Sequence, residues 1–205
     1  MYIDLESLPR GDVYAAMIQC IIPRPVAWVL SENENGTHNL APFSYFNAVS
    51  SEPPLIMLSI GKKPDGSEKD TRRNIRERAH FVVHIPHREQ APAVTASSAG
   101  LERGQSEVEQ LGMELTVFEG SALPRLSDCR IALACERYQI LDIGPIPQAL
   151  ILGRVNRIYV DDAVLAKGGS GARPRVLAEK VDPLGRLGGA DYTTLGEILT
   201  IPRPG

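Results

Sequence analysis

Two short segments carry the residues whose types and spacing point to chemistry. The first, Asn39-Leu40-Ala41-Pro42-Phe43-Ser44-Tyr45-Phe46-Asn47-Ala48-Val49-Ser50-Ser51, alternates small and hydroxyl-bearing residues with aromatics. A flat heteroaromatic ligand with polar edge atoms needs such a surface, with amides and hydroxyls in its plane and little bulk beneath it. The second, Lys69-Asp70-Thr71-Arg72-Arg73-Asn74, joins cations and a hydroxyl to the start of a helix expected over 70–78. Unpaired N–H groups and the positive end of the helix dipole make that position a seat for phosphate. Lys69 would add charge there and Thr71 a hydroxyl donor, and Arg24 would approach from between Pro23 and Pro25. Taken singly, each segment has a simpler reading: a barrel strand with turn serines, and a solvated basic helix start capped by Asp70 or Thr71.

Other chemistries lack their residues. His80, His84 and His87 lie close together, but Pro86 interrupts the run and no cysteine or paired carboxylate stands at ligand spacing, so no metal is expected. His84 reads instead as a barrel residue beside a pocket. GxSxG and GxGxxG are missing, and Gly168–Gly171 lacks the phosphate-loop pattern. Cys20, Cys129 and Cys135 form no CxxC pair, which argues against a disulfide framework and for a reducing cytoplasm. The formal net charge of −3 gives no reason to expect nucleic acid or an anionic membrane as partner. No apolar run approaches the roughly 20 residues needed to cross a bilayer.

The elements that must position these residues read as mainly β with a few helices. Residues 3–19 form a short helix or turn, with Leu5, Leu8, Val13 and Met17 as apolar points. Strands are expected at Val26–Leu30, Phe43–Val49, Leu55–Ile60 and Phe81–Ile85, and Trp28 belongs to the core. Residues 88–111 read as helix in two pieces, broken near Gly100 and Gly104. Two long strands, Arg130–Asp142 and Gln148–Val160, are joined by Gly144-Pro145-Ile146-Pro147. This order suggests a small antiparallel barrel in one domain covering 1–205, whose last part, about 165–205, is a glycine-rich and basic tail.

In order and spacing these segments resemble the flavin reductase-like family, with its FMN-binding antiparallel split β-barrel. The resemblance runs from about Ile22 to Val160. It is carried by Pro23-Arg24-Pro25-Val26-Ala27-Trp28-Val29, the segment Asn39–Ser50, Pro53-Pro54, Ser59 and Lys69-Asp70-Thr71-x-x-Asn74-Ile75, and it resumes at Arg186-Leu187-Gly188-Gly189-x-x-Tyr192. It implies that Ser44 and the backbone of Asn47, Ala48 and Val49 bond the edge of the flavin ring. Ser50 and Ser59 would then lie near the ribityl chain or phosphate, Lys69 and Thr71 would grip the phosphate, and Asn74 would support that turn. The tail around Gly189 and Tyr192 would cover the flavin, in its own subunit or in a homodimer partner.

The implied activity is reduction of FMN, with FAD as an alternative flavin, by NADH or NADPH. Reduced flavin would pass to a separate flavin-dependent monooxygenase or redox partner. No catalytic side chain is required, because the flavin carries the chemistry and the protein supplies position and electrostatics. A second expectation is a flavin-holding electron carrier without nicotinamide turnover, and a third is a barrel that has lost its ligand.

Overall fold

A computed structural model describes residues 1–145, 148–167 and 174–204. Among these residues, twelve strands follow one another as β1 (Arg24–Pro25), β2 (Ala27–Glu32), β3 (His38–Phe43), β4 (Phe46–Ser51), β5 (Pro54–Ile60), β6 (His80–His84), β7 (Leu115–Thr116), β8 (Arg125–Leu126), β9 (Ile131–Ile143), β10 (Gln148–Val160), β11 (Gly185–Arg186) and β12 (Tyr192–Thr193). The helices are α1 (Arg10–Cys20), α2 (Asp70–Arg78), α3 (Ala91–Ala96), α4 (Glu107–Gln110) and α5 (Ala178–Val181).

Seven strands pair in the order β3-β2-β6-β9-β10-β5-β4, antiparallel throughout. β3 and β4 therefore sit at opposite edges of one sheet, yet only Ser44 and Tyr45 separate them in the chain. The three Cα–Cα steps from Phe43 to Phe46 reach at most about 11 Å, so the sheet must curl until its edges come close. That curl makes the split barrel. The continuous strand expected over Phe43–Val49 is in fact two strands, because the chain leaves one edge at Phe43 and joins the other at Phe46. The amide of Ser59 donates to the carbonyl of Tyr45 at 2.9 Å and fixes the crossover.

Alternation along the strands divides the core. Ala27 and Val29 of β2 join Phe43, Phe46, Leu58, Ile60, Phe81, Val83, Cys135 and Ile151, an apolar cluster to which all seven strands contribute. This is the barrel interior. Trp28 and Leu30 point the other way, into a cluster with Val94 of α3, Val108 of α4, Leu126 and Leu184. Burying β2 on both faces explains its uninterrupted apolar sequence. Trp28, fully buried as expected, donates from Nε1 to Ser97 Oγ at 2.8 Å and so ties the barrel to the chain beyond α3. Gly153 allows Phe81 to fill the interior, because a Cβ there would lie 2.4 Å from the ring.

The helical stretch expected over 88–111 is shorter than its sequence suggested: a 3-10 turn (Arg88–Gln90), α3 and α4 account for it. At the N-terminus, α1 buries none of its residues, so the apolar points Val13 and Met17 make no amphipathic contact with the core. Ile146 and Pro147 of the hairpin linker and the Gly168–Gly171 run lie outside the described residues. Among those described, no helix is long and apolar enough to cross a membrane.

Candidate functional site

The β3–β4 crossover, the start of α2 and the C-terminal tail converge on two adjoining cavities. One, of about 400 Å³, is walled by Tyr14, Val26, Phe43, Ser44, Tyr45, Ser59, Gln148, Arg186 and Tyr192 among others. The other, of about 840 Å³, is walled by Asn39, Lys63, Thr71, Arg73, Ser97 and Glu107 among others. Pro42, Phe43, Lys69 and Ser98 belong to both walls. Each volume falls in the range of small-molecule sites.

The larger cavity is built on the start of α2. Lys69 is the N-cap residue, and its side chain makes no capping bond. This corrects the expectation that Asp70 or Thr71 caps the helix. Asp70 is the first helical residue, and its carboxylate is engaged by Lys63 at 2.8 Å and Arg73 at 3.2 Å. The Thr71 hydroxyl accepts from Asn39 Nδ2 at 2.8 Å, which leaves its own proton to donate into the cavity. Asn74 is buried beneath the turn, donating to Ser31 Oγ at 3.2 Å and Asn33 Oδ1 at 2.9 Å, a supporting position.

The Lys69 ammonium lies 5.6 Å from the centre of the Phe43 ring, and no carboxylate pairs with it among the described residues. Burial, and then the like charge of Lys63, push its pKa below the ordinary lysine value. Both effects are relieved by an anion at this point. Burial also raises the Glu107 carboxyl, whose carboxylate accepts from the Leu40 amide at 2.9 Å on the far wall.

The smaller cavity is assembled from residues far apart in sequence. Ser44 Oγ accepts from Arg24 Nε at 3.3 Å. The same guanidinium holds the carbonyls of Ile18 at 2.6 Å, Ile21 at 2.5 Å and Leu187 at 2.9 Å. Arg24 therefore pins the end of α1 and the tail to the crossover, and it lines neither cavity. Its donors go to these backbone carbonyls and to Ser44, so in this structure Arg24 holds the cavity wall rather than reaching in from between Pro23 and Pro25. Tyr14 and Tyr45 stand 6.2 Å apart at the cavity's edge, and burial, with Tyr14 beside it, raises the Tyr45 hydroxyl.

The tail forms one wall in its own chain. β11 pairs with β1 on one side and β12 on the other, setting Arg24 opposite Arg186 and Arg186 opposite Tyr192. Gly185 permits this closeness, since a Cβ would lie 2.8 Å from Thr193 Cγ2 and 3.0 Å from Pro23 Cβ. The Thr95 hydroxyl gives its proton to the Ala91 carbonyl at 2.9 Å and accepts from Tyr192 Oη at 3.2 Å. Gly189, with φ +62°, is exposed and shapes the turn without lining either cavity.

Of the residues expected at the site, Ser44, Ser59, Lys69, Thr71 and Tyr192 come together around the cavities. Asn47, Ala48, Val49 and Ser50 do not: they lie exposed on β4, the unpaired edge, with Val49 at a register shift and Ser50 Oγ accepting from the Glu52 amide. The crossover at Ser44-Tyr45 carries them past the cavities. Arg186, Tyr14, Thr95, Ser98 and Gln148 were missed, and for Arg186 the signal lay in the tail motif already quoted.

The three clustered histidines take separate roles. Fully buried His84 lies between the Trp28 carbonyl (Nδ1, 3.1 Å) and the Leu126 amide (Nε2, 3.0 Å), which makes Nδ1 the protonated nitrogen. Burial pushes its pKa down to about 4. It is a core pin and lines neither cavity. His87 engages Glu89 and the Asp128 carbonyl, and His80 is exposed on β6. Cys129, pushed up to about 12 by burial, and Cys135, raised by the same cause, are buried thiols without thiolate character.

Residues 18–175 match the family described as Flavin reductase like domain. The chain belongs to the flavin reductase-like family. Its split barrel is likewise that of the family's solved structures. The component B of nitrilotriacetate monooxygenase from Bacillus cereus superposes with a TM-score of 0.90 at 34% identity, covering 98% of each chain. The 2-nitrobenzoate 2-nitroreductase of Pseudomonas fluorescens gives a TM-score of 0.88 at 28% identity, covering 100% of this chain and 96% of the other. An uncharacterized protein of Halalkalibacterium halodurans is 37% identical over 100% of this chain and 97% of its own length. For this flavin reductase-like chain, the family match ends at residue 175, before β11 and β12.

Proposed function

We propose that this protein binds FMN in the paired cavities and catalyses its reduction by NADH or NADPH. The carrying observation is Lys69: a half-buried ammonium at the N-terminus of α2, without an ion-pair partner among the described residues, facing both cavities. A phosphate monoester there gains the Lys69 charge, the Thr71 hydroxyl and the free amides of the first helical turn. The ring takes the smaller cavity, against Val26, Tyr45 and Tyr192, with Ser44 and Ser59 at its polar edge. Bound flavin supplies the hydride-accepting atom, and the chain holds it with one face open. FAD fits the same phosphate seat, and released-flavin analysis distinguishes the two.

Reduced flavin serves a separate monooxygenase in this reading, as the name of the Bacillus cereus relative suggests for that protein. Purified protein with FMN accelerates NADH or NADPH oxidation above the rate without protein. Absence of acceleration with either donor defeats the reductase reading.

A second reading is a flavin-holding electron carrier, favoured by the tail wall of Arg186 and Tyr192, which narrows access to the ring seat. Tight FMN binding without nicotinamide oxidation, with fast exchange to a redox protein, decides for it. In either reading the protein is a homodimer. The unpaired edge β4 with Val49, together with exposed Tyr138, Leu141 and Ile143 on β9, supports a second copy as cover. Sedimentation of FMN-loaded protein showing only monomer rejects it.

A further inference from the structure

The charge of the ring cavity does not match the charge of the protein. The chain carries a formal −3. Its smaller cavity is nevertheless walled by two cations, Lys69 and Arg186, and by no carboxylate among the described residues. Lys69 also faces the larger cavity, where the flavin phosphate sits in the reading above, whereas Arg186 does not. One phosphate accounts for Lys69 and leaves a second positive charge at the ring end without an anion. Low-dielectric walls of one sign focus the field on whatever enters.

Arg186 is held in place. Its backbone occupies the central strand of the three-stranded β1-β11-β12 sheet. Its guanidinium lies 4.5 Å from the centre of the Tyr192 ring, and Nη2 donates to the Gly189 carbonyl at 2.5 Å. No carboxylate pairs with it among the described residues. Of five N–H donors, four remain for an acceptor, in a fork shaped for a bidentate oxyanion.

We propose that Arg186 is a specificity-determining residue that receives the diphosphate of the pyridine-nucleotide donor while its nicotinamide lies against the flavin. This rests on the reading that FMN occupies the cleft. The tail thereby selects the charged donor, and α2 selects the flavin.

The test compares wild type, Arg186→Gln and Arg186→Lys, each loaded with FMN. Steady-state KM is measured for NADH, NADPH and the uncharged donor N-benzyl-1,4-dihydronicotinamide. In Arg186→Gln the ratio of KM for NADH or NADPH to that of the uncharged donor rises about tenfold or more, with the loss in KM rather than kcat. Arg186→Lys recovers part of it. Added salt raises the NADH KM of wild type and changes that of Arg186→Gln much less. An unchanged ratio overturns the proposal, and so does a loss of FMN affinity by the same factor, which would assign Arg186 to the flavin. Wild-type protein that holds no FMN, or holds it without oxidising any donor, defeats the reading beneath. NADH fluorescence titration then judges Arg186 alone: tenfold weaker binding in Arg186→Gln supports the role, and equal or absent binding in both proteins overturns it.

Discussion

The two ends of the cleft are built in different ways. The end proposed for the phosphate is the more local: Lys69, Asp70 and Thr71 stand together at the start of α2, with Lys63 and Arg73 on Asp70 from within seven residues, and only Asn39, Ser31 and Asn33 brace it from farther off. The end proposed for the ring is assembled from afar: Ser44, Ser59, Gln148, Arg186 and Tyr192 come from four separate stretches of chain, held by the barrel curl and by Arg24. A local seat survives as long as its helix does. A distant one needs every long-range pin. The two should therefore fail separately when a seat or a pin is altered, and together only when the barrel itself yields.

The largest expected effect is that common failure. His84 has a folded-state pKa of about 4, below its ordinary 6.5, because it is fully buried with Nε2 accepting from the Leu126 amide. As pH falls the unfolded chain takes the proton first. The contribution is intact above about 6.5 and is lost between 6.5 and 4, a change of about 3 kcal/mol. Urea midpoints at pH 7 and pH 4.5 measure it, and a flat profile across that window would remove His84 as the common pin.

Replacing the phosphate seat comes next. Lys69→Met with Thr71→Ala should weaken FMN about thirtyfold to hundredfold, the scale of charge-assisted bonds. Fluorescence titration with riboflavin, which lacks the phosphate, should show little change between this variant and wild type. A loss shared equally by both flavins would show the ends to be coupled.

Arg24→Met attacks the other end. It strands the carbonyls of Ile18, Ile21 and Leu187 and frees Ser44, at about 1–3 kcal/mol of stability. Hydrogen exchange should rise in β11 and β12 while α2 stays protected. Gly185→Ala is the mildest case: its Cβ meets Thr193 and Pro23 and costs about 1 kcal/mol, confined to the tail sheet. Thermal melts and tail-specific exchange check it, and deprotection of α2 in either variant would contradict the separation.

The sequence alone determined the local things. Helix start, cation and hydroxyl fall within one turn, so α2 appears over Asp70–Arg78 where residues 70–78 were expected, and Lys69 and Thr71 face a cavity together. The apolar runs that include Trp28 and Leu30 marked strands and core, because such runs must be buried, although β2 is covered on both faces and its sequence does not say which residue faces the barrel interior. Tertiary structure decided what depends on closure. The break of the expected Phe43–Val49 strand at Ser44-Tyr45 exists because the sheet's edges meet there, a fact no window of residues contains. That break carried Asn47–Ser50 to the outer edge, while the pairing of β1 with β11 tied Arg24 to the tail and brought Arg186 to the smaller cavity. Local spacing records which groups can share a turn, and only the folded sheet sets which distant groups share a wall.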